Sequence, residues 1–289
     1  MCKNASVGNS LSQTRAESGE TGSTGSRAQG QTHGATPISE AAAWKLAEPV
    51  AIWFRVTQSL TAEEVDQARS TLSLDERARC DRLVFERDRR DFAAAHALLR
   101  DALSRHGRLS PGDWTFGVEA GGKPYLADQS ELQFNIAHTR GLVVCALSLS
   151  GPIGVDVESI PNERDIDAIS EKYFAPTELA DLRARREVAR RSARFTELWT
   201  SKEAYLKAIG AGLRRPLDEI VFQFPGASEI RAESEGAPIH VDWRFGLFAP
   251  RPDFRLAVAV RAESPLRFLA HEWPEKPDHP GLTPIRWSR

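Results

Sequence analysis

Cysteine is scarce in this sequence. Cys2, Cys80 and Cys145 are the only three among 289 residues, odd in number and without the paired spacing of a metal site or a disulfide framework. A reduced, cytoplasmic protein is the plain expectation. No stretch approaches the roughly 20 apolar residues that a membrane helix needs, so no membrane partner is expected. The first residues have no apolar run of the secretory kind. An excess of one charge is lacking as well. Lys and Arg number 38, Asp and Glu 40, and the net charge of −2 leaves no overall electrostatic footprint for nucleic acid.

Residues 1–40 lack aromatic and branched apolar side chains almost entirely and are rich in Ser, Gly, Thr, Gln and Ala. Such a segment cannot bury enough surface to offset its ordering entropy, and it reads as a disordered tail. A start assigned upstream of the true one would carry the same composition. From Trp44 the character changes. Ala51–Val56 predicts a first strand. Thr61 and Glu64 have the spacing of a capping box, with Leu60 and Val65 placed as a hydrophobic staple. The Arg-rich stretch from Arg77 to His106 places Phe85, Phe92, Leu98, Leu99 and Leu103 at helical spacing. Strands are expected at 114–119, 132–136 and 142–148, with the Gly121-Gly122 pair marking a turn before Lys123. A second unit starts near Gly151. It has a strand at 153–157, helices at about 165–173, 176–191 and 194–210, and strands at 219–224, 240–248 and 254–260. The tail from Pro274 holds several prolines and is expected to be extended. The two units share a rough order of strands and helices, which hints at duplication without a strict repeat.

Three constellations carry chemistry. In Gly154-Val155-Asp156-Val157-Glu158, strand alternation puts Asp156 and Glu158 on one face and both valines on the other. Two adjacent carboxylates repel, and a hard cation with oxygen ligands, magnesium above all, removes that cost. A solvent-facing sheet edge gives the same pattern. In Phe195–Leu213, helical placement gathers Phe195, Leu198, Tyr205, Leu206 and Ile209 into an apolar arc, with Trp199, Glu203 and Lys207 four apart at its edge. Lys202 lands inside that arc, where a charge needs a partner. It either snorkels or meets a phosphate. Gly210 and Gly212 fit a helix terminus. The third constellation is Lys123-Pro124-Tyr125 with Phe134-Asn135-Ile136-Ala137-His138, where a basic turn and a histidine after a strand suit a phosphate contact or a purely structural role.

In order and spacing these pieces resemble the 4′-phosphopantetheinyl transferases, in the single-chain type with two similar halves that activates surfactin-like synthetases. The pieces are KPYL at 123–126, FNIAHT at 134–139, GVDVE at 154–158, YFAPTE at 173–178 and WTSKEAYLKAIGAGL at 199–213. The likeness runs from about residue 74 to 260. It implies an α+β fold of two similar subdomains related by a pseudo-twofold, at 44–150 and 151–270, with the active site at their interface and an extended segment at 274–289. It implies coenzyme A as co-substrate and magnesium as cofactor. Asp156, Glu158 and Glu203 match the metal ligands. Glu203 and Lys207 match the base and the group facing the leaving phosphate. Lys123, His138, Lys202 and Lys207 match coenzyme A contacts. His96 falls where many relatives have an arginine for the 3′-phosphate, and Arg77, Arg79 and Arg82 lie in the basic stretch used for the same group. Ala137 stands where a serine is common, which removes one hydrogen bond to the nucleotide.

The expected partners are acyl or peptidyl carrier proteins of fatty-acid, polyketide or peptide synthases, and the protein is expected to be a monomer. The six arginines of 183–194 read as a solvated helix face or as a surface that steers an acidic carrier. Two other classes remain open on the sequence: a coenzyme A or carrier binder without turnover, and a magnesium-dependent nucleotide hydrolase.

Overall fold

A computed structural model describes residues 44–119, 121–127, 131–161, 166–212, 215–239, 241–274 and 281–288. The tail expected over 1–40 lies outside them. The chain runs β1 (Val50–Val56), α1 (Ala62–Ser70), α2 (Leu74–Asp81), α3 (Glu86–His106), β2 (Phe116–Val118), β3 (Pro124–Leu126), β4 (Gln133–Thr139) and β5 (Leu142–Ser148). It continues with β6 (Ile153–Ser159), α4 (Ile166–Tyr173), α5 (Pro176–Arg183), α6 (Val188–Ala208), β7 (Ile220–Gln223), β8 (Arg231–Ser234) and β9 (Ala237–Pro238). β10 (Trp243–Phe248), β11 (Phe254–Arg261), β12 (Ala270–Glu272) and β13 (Arg286–Trp287) complete it.

Local chemistry sets the helix ends. Thr61 and Ser73 each accept from the backbone three residues on, while Glu64 and Glu76 reach back to the cap amides, so both α1 and α2 start in capping boxes. At the end of α6, Ala211 N donates to Leu206 O and Gly210 N to Lys207 O, with Gly210 at φ 67°. This is a Schellman termination, and the positive φ is why glycine stands there. The arginine-rich stretch departs from expectation. α5 stops at Arg183 and α6 starts at Val188, because Arg185 folds back to donate to the carbonyl of Asp181 at 2.5 Å and to its carboxylate at 2.6 Å.

Two four-stranded sheets form the body, ordered β12-β1-β5-β4 and β13-β10-β11-β6. The α+β class follows. Alternation along the strands builds three apolar layers. Trp53, Val143, Cys145 and Leu147 pack on Leu98, Leu99 and Leu103 of α3. Ile52, Val144, Ala146, Val155, Val157, Leu256 and Val258 fill the space between the sheets. Ala257 and Ala259 face Leu198, Tyr205 and Leu206 of α6. The order is therefore α3, first sheet, second sheet, α6. Asn135 of β4 ties the sheets together by accepting from the Val155 amide of β6 at 2.9 Å. The C-terminal part of the chain does more than supply the extended run expected from Pro274. β12 pairs in parallel with β1, and β13 pairs with β10, so the C-terminal segment covers an edge of each sheet. No helix among the described residues is long and apolar enough to cross a membrane.

Candidate active site

β6 and α6 come unusually close, and Gly154 is the reason. A Cβ at this position would overlap the Ala204 carbonyl oxygen and the Ala208 amide, and would lie 3.0 Å from Ala208 Cα. With only a hydrogen there, the strand lies against the helix backbone. Asp156, two residues along on the same face, then meets α6. Lys207 Nζ stands 2.6 Å from Asp156 Oδ1. Asp156 is buried, and its Oδ2 has no hydrogen-bond partner.

Electrostatics follow from this crowding. Burial first, and the Asp156 charge second, push the Glu203 carboxyl up to about 7, against the opposing pull of Lys207. Burial acts to lower Lys207, but Asp156 and Glu203 outweigh it and hold the ammonium above its ordinary range. Glu158 accepts from Thr139 Oγ1 at 3.2 Å, which brings β4 to the same place. No three His, Cys, Asp and Glu side chains among the described residues converge closely enough to hold a metal ion as they stand. The donor set is nonetheless of the hard-cation kind: carboxylate oxygens, one of them a buried orphan, beside a glutamate that burial and then Asp156 make costly to ionise.

His138, on β4, lies near Asp91 and His96 of α3 and near Lys207 of α6. Burial, with Lys207 and His96 nearby, lowers it to about 4, although Asp91 opposes the shift. Its Nδ1 is buried without a partner. Asp91 of α3 accepts from the Gly141 amide and from Thr57 Oγ1, so it holds the turn that follows His138. His96 pairs with Glu76 at 2.9 Å and leaves Nε2 buried and unpartnered. Burial acts to raise Glu76, but His96, Ser73 and Arg100 bring it down to about 2. Arg79 lies 5.8 Å from the Phe92 ring centroid, and the His96 ring is tilted against the same ring at 4.2 Å. Arg77 is elsewhere: it is exposed and its Nε donates to Leu72 O. Of the basic stretch, Arg79 is the arginine that approaches the His96 region.

Two lysines stand differently from expectation. Lys202 is fully buried and turned from the Asp156 side. It pairs with Glu178 at 2.6 Å and donates to Leu217 O and Ile220 O. Burial lowers Lys202 and raises Glu178. Lys123 donates to Ala208 O at 3.0 Å and Ile153 O at 3.3 Å, serving as a cap on the α6 terminus, and burial lowers its pKa. Sequence reading missed Asp91, Asn135 and Glu178. Glu178 and Asn135 had a signal, since they lie in the YFAPTE and FNIAHT motifs, whereas Asp91 had none.

Known proteins carry the same arrangement of pieces. Residues 152–259 match the family described as the 4′-phosphopantetheinyl transferase superfamily, and residues 59–150 match its N-terminal region. The 4′-phosphopantetheinyl transferase HetI of Nostoc sp. is 35% identical over 178 residues, which is 61% of this chain and 74% of that protein. A 4′-phosphopantetheinyl transferase of Bacillus subtilis is 35% identical over 160 residues, 55% of this chain and 69% of that protein. The Bacillus subtilis transferase Sfp is 29% identical over 205 residues, 68% of this chain and 89% of that protein. The chain belongs to the 4′-phosphopantetheinyl transferase superfamily. Within this superfamily member, both matched segments contribute to the candidate site: α3, β4 and His138 come from the N-terminal match, and Asp156, Glu203 and Lys207 from the other.

Proposed function

We propose that this enzyme moves the phosphopantetheine arm of coenzyme A onto a serine of an apo carrier protein and releases 3′,5′-ADP. The observation that carries the reading is the Asp156–Lys207 pair, with Glu203 raised to about 7 beside it. With no metal bound, a glutamate of that kind accepts a proton near neutral pH; a bound cation would lower that value, so the base role rests on its place beside Asp156 and Lys207. Glu203, directly or through water, takes the proton of the carrier serine. The serine oxygen attacks the phosphorus that bears pantetheine, and the bond to the other phosphate breaks. Lys207 stabilises or protonates the departing 3′,5′-ADP. Because the nucleophile belongs to the carrier, no covalent enzyme intermediate is needed.

Asp156, Glu158 and Glu203 would hold magnesium, and the fit rests on their oxygen-only character and the orphaned Asp156 Oδ2. A bound magnesium would offset charge on the pyrophosphate. His138, His96 and Arg79 would meet the nucleotide end of coenzyme A, supported by the buried, unpartnered nitrogen that each carries. We read the two halves, 44–150 and 151–270, as pseudo-twofold mates, since each supplies an antiparallel trio of strands covered by one 21-residue helix. A monomer in the cytoplasm, acting on a carrier of a fatty-acid, polyketide or peptide synthase, completes the proposal. An intact-mass assay of several apo-carriers with coenzyme A and magnesium tests it. One added phosphopantetheine per carrier is the expected result, and unmodified carriers throughout would overturn the reading.

A further inference from the structure

Lys202 and Glu178 belong to motifs that the catalytic reading does not absorb, and both are among the least accessible side chains of the protein, at 0% and 1% exposure. Every hydrogen-bonding capacity of the pair that matters is met. Lys202 gives its three donors to Glu178 Oε2, Leu217 O and Ile220 O at 2.6, 2.8 and 2.5 Å. Glu178 also accepts from the Ala175 amide and the Phe222 amide, each at 2.9 Å. One point therefore joins the start of α5, the residues leading into β7, and the middle of α6. The rest of YFAPTE closes around it. Phe174 stacks on Phe195 at 5.4 Å and lies 5.2 Å beneath the Lys202 ammonium, while Tyr173 meets Trp199 edge-on at 5.8 Å.

Successive residues on a helix point about 100° apart. Lys202 and Glu203 are adjacent, so fixing one fixes the azimuth of the other. With Lys202 locked on the far side, Glu203 and Lys207 are presented to Asp156. We propose that the Glu178–Lys202 pair is a positioning device that sets the rotation of α6, and that YFAPTE is the clamp through which it acts; this rests on the transferase reading of the Glu203 face. Hydrophobic contacts alone would tolerate several rotations of an apolar arc. A buried, fully satisfied ion pair has one geometry, because any slip leaves charge unpaired in the interior. A structural role alone predicts a different outcome on replacement: an apolar pair of similar volume would keep the fold and the rate together.

The test uses the full chain with Glu178→Leu/Lys202→Met, the single Lys202→Met, and Glu178→Gln. The double variant is expected to melt near the wild type, to keep coenzyme A affinity by calorimetry, and to lose about tenfold or more in kcat, as small misplacements of catalytic groups do. The singles should show the same split between kcat and affinity, and their effects should not add in the double. Amide chemical shifts over 154–158 and 203–208 read the rotation of α6 independently of turnover, and they should move in the double variant. If the wild type transfers nothing, the transferase reading fails and the shifts alone decide the positioning role. Wild-type kcat with unmoved shifts in the double overturns the proposal. So does a Lys202→Met variant that weakens coenzyme A binding while Glu178→Gln leaves it intact, since that would put Lys202 on the substrate. Should the double variant fail to fold, Glu178→Gln, which conserves shape but keeps only one of the two oxygens that accept from the Ala175 and Phe222 amides, decides: unchanged kcat overturns the proposal and a lowered kcat at unchanged affinity supports it.

Discussion

Lys207 Nζ lies 2.6 Å from Asp156 Oδ1, joining two motifs that stand 51 residues apart in the chain. Each partner is expensive to leave alone, because both are largely enclosed. Asp156→Ala should abolish transfer while the protein remains folded, and Glu203→Ala should do the same. Near wild-type rates in either variant across a magnesium titration would remove both residues from the site. Lys207→Met should lower kcat by about a hundredfold, in the range typical of a lost charge-stabilising donor, with a smaller change in coenzyme A affinity.

Gly154 permits the contact between β6 and α6, since a Cβ there meets backbone that cannot turn aside. Gly154→Ala should therefore cost more than about 3 kcal/mol in urea unfolding, with activity falling in step. A thermal melt within a degree or two of wild type would show that the strand and helix can separate freely.

Glu203 gives the stability a particular pH dependence. Its carboxyl stands at about 7 in the fold against 4.5 as the reference, chiefly through burial. The folded state holds its proton more tightly, so stability is full below about 4.5 and falls as pH rises to 7, by on the order of 3 kcal/mol. Without metal, Glu203→Gln should remove this slope and make the protein more stable above pH 7. Calorimetry in two buffers of different ionisation enthalpy should also show proton release when magnesium binds near pH 6.5, and no release would separate Glu203 from the metal.

His138 acts in the opposite direction. Burial holds it near 4, below its ordinary 6.5, so the folded state resists protonation. Stability is full above 6.5 and is lost as pH falls toward 4, by on the order of 3 kcal/mol. Between 4.5 and 6.5 the two groups oppose each other, and the wild-type curve should be flat. His138→Asn should expose the Glu203 slope in that window and weaken coenzyme A binding. A variant curve that stays flat would show that His138 does not titrate as buried.

The arginine run is less available to a partner than its composition suggests. Arg183 pairs with Glu171, Arg185 with Asp181, Arg190 with Glu187, Arg191 with Asp167 and Arg194 with Glu197. Arg186 is exposed. Arg186→Glu should raise the carrier KM about two- to fivefold at low salt, leave the coenzyme A KM alone, and lose its effect near 1 M salt. An equal change in both constants would point to disturbed folding, and no change at low salt would return the run to ordinary surface.

The sequence by itself determined most local structure and the face of its element on which each acidic candidate lies. Period-two alternation assigned Asp156 and Glu158 to one face of β6 and Val155 and Val157 to the core, where both valines are buried. Helical spacing put Glu203 and Lys207 on one edge of α6, and Thr61 with Glu64 formed the capping box that their spacing implied. These are short-range patterns, fixed by backbone geometry. The roles of Lys202, Lys123 and Arg77 needed the tertiary structure, because a lysine at a given position carries the same charge whether it meets a phosphate, a buried glutamate or a helix terminus. Only the placement of Glu178, Leu217 and Ile220 decided for Lys202, and only the approach of β3 to the end of α6 decided for Lys123. The edge strands β12 and β13 were equally illegible, since a two- or three-residue strand has no period to read and exists only because β1 and β10 offer unpaired edges.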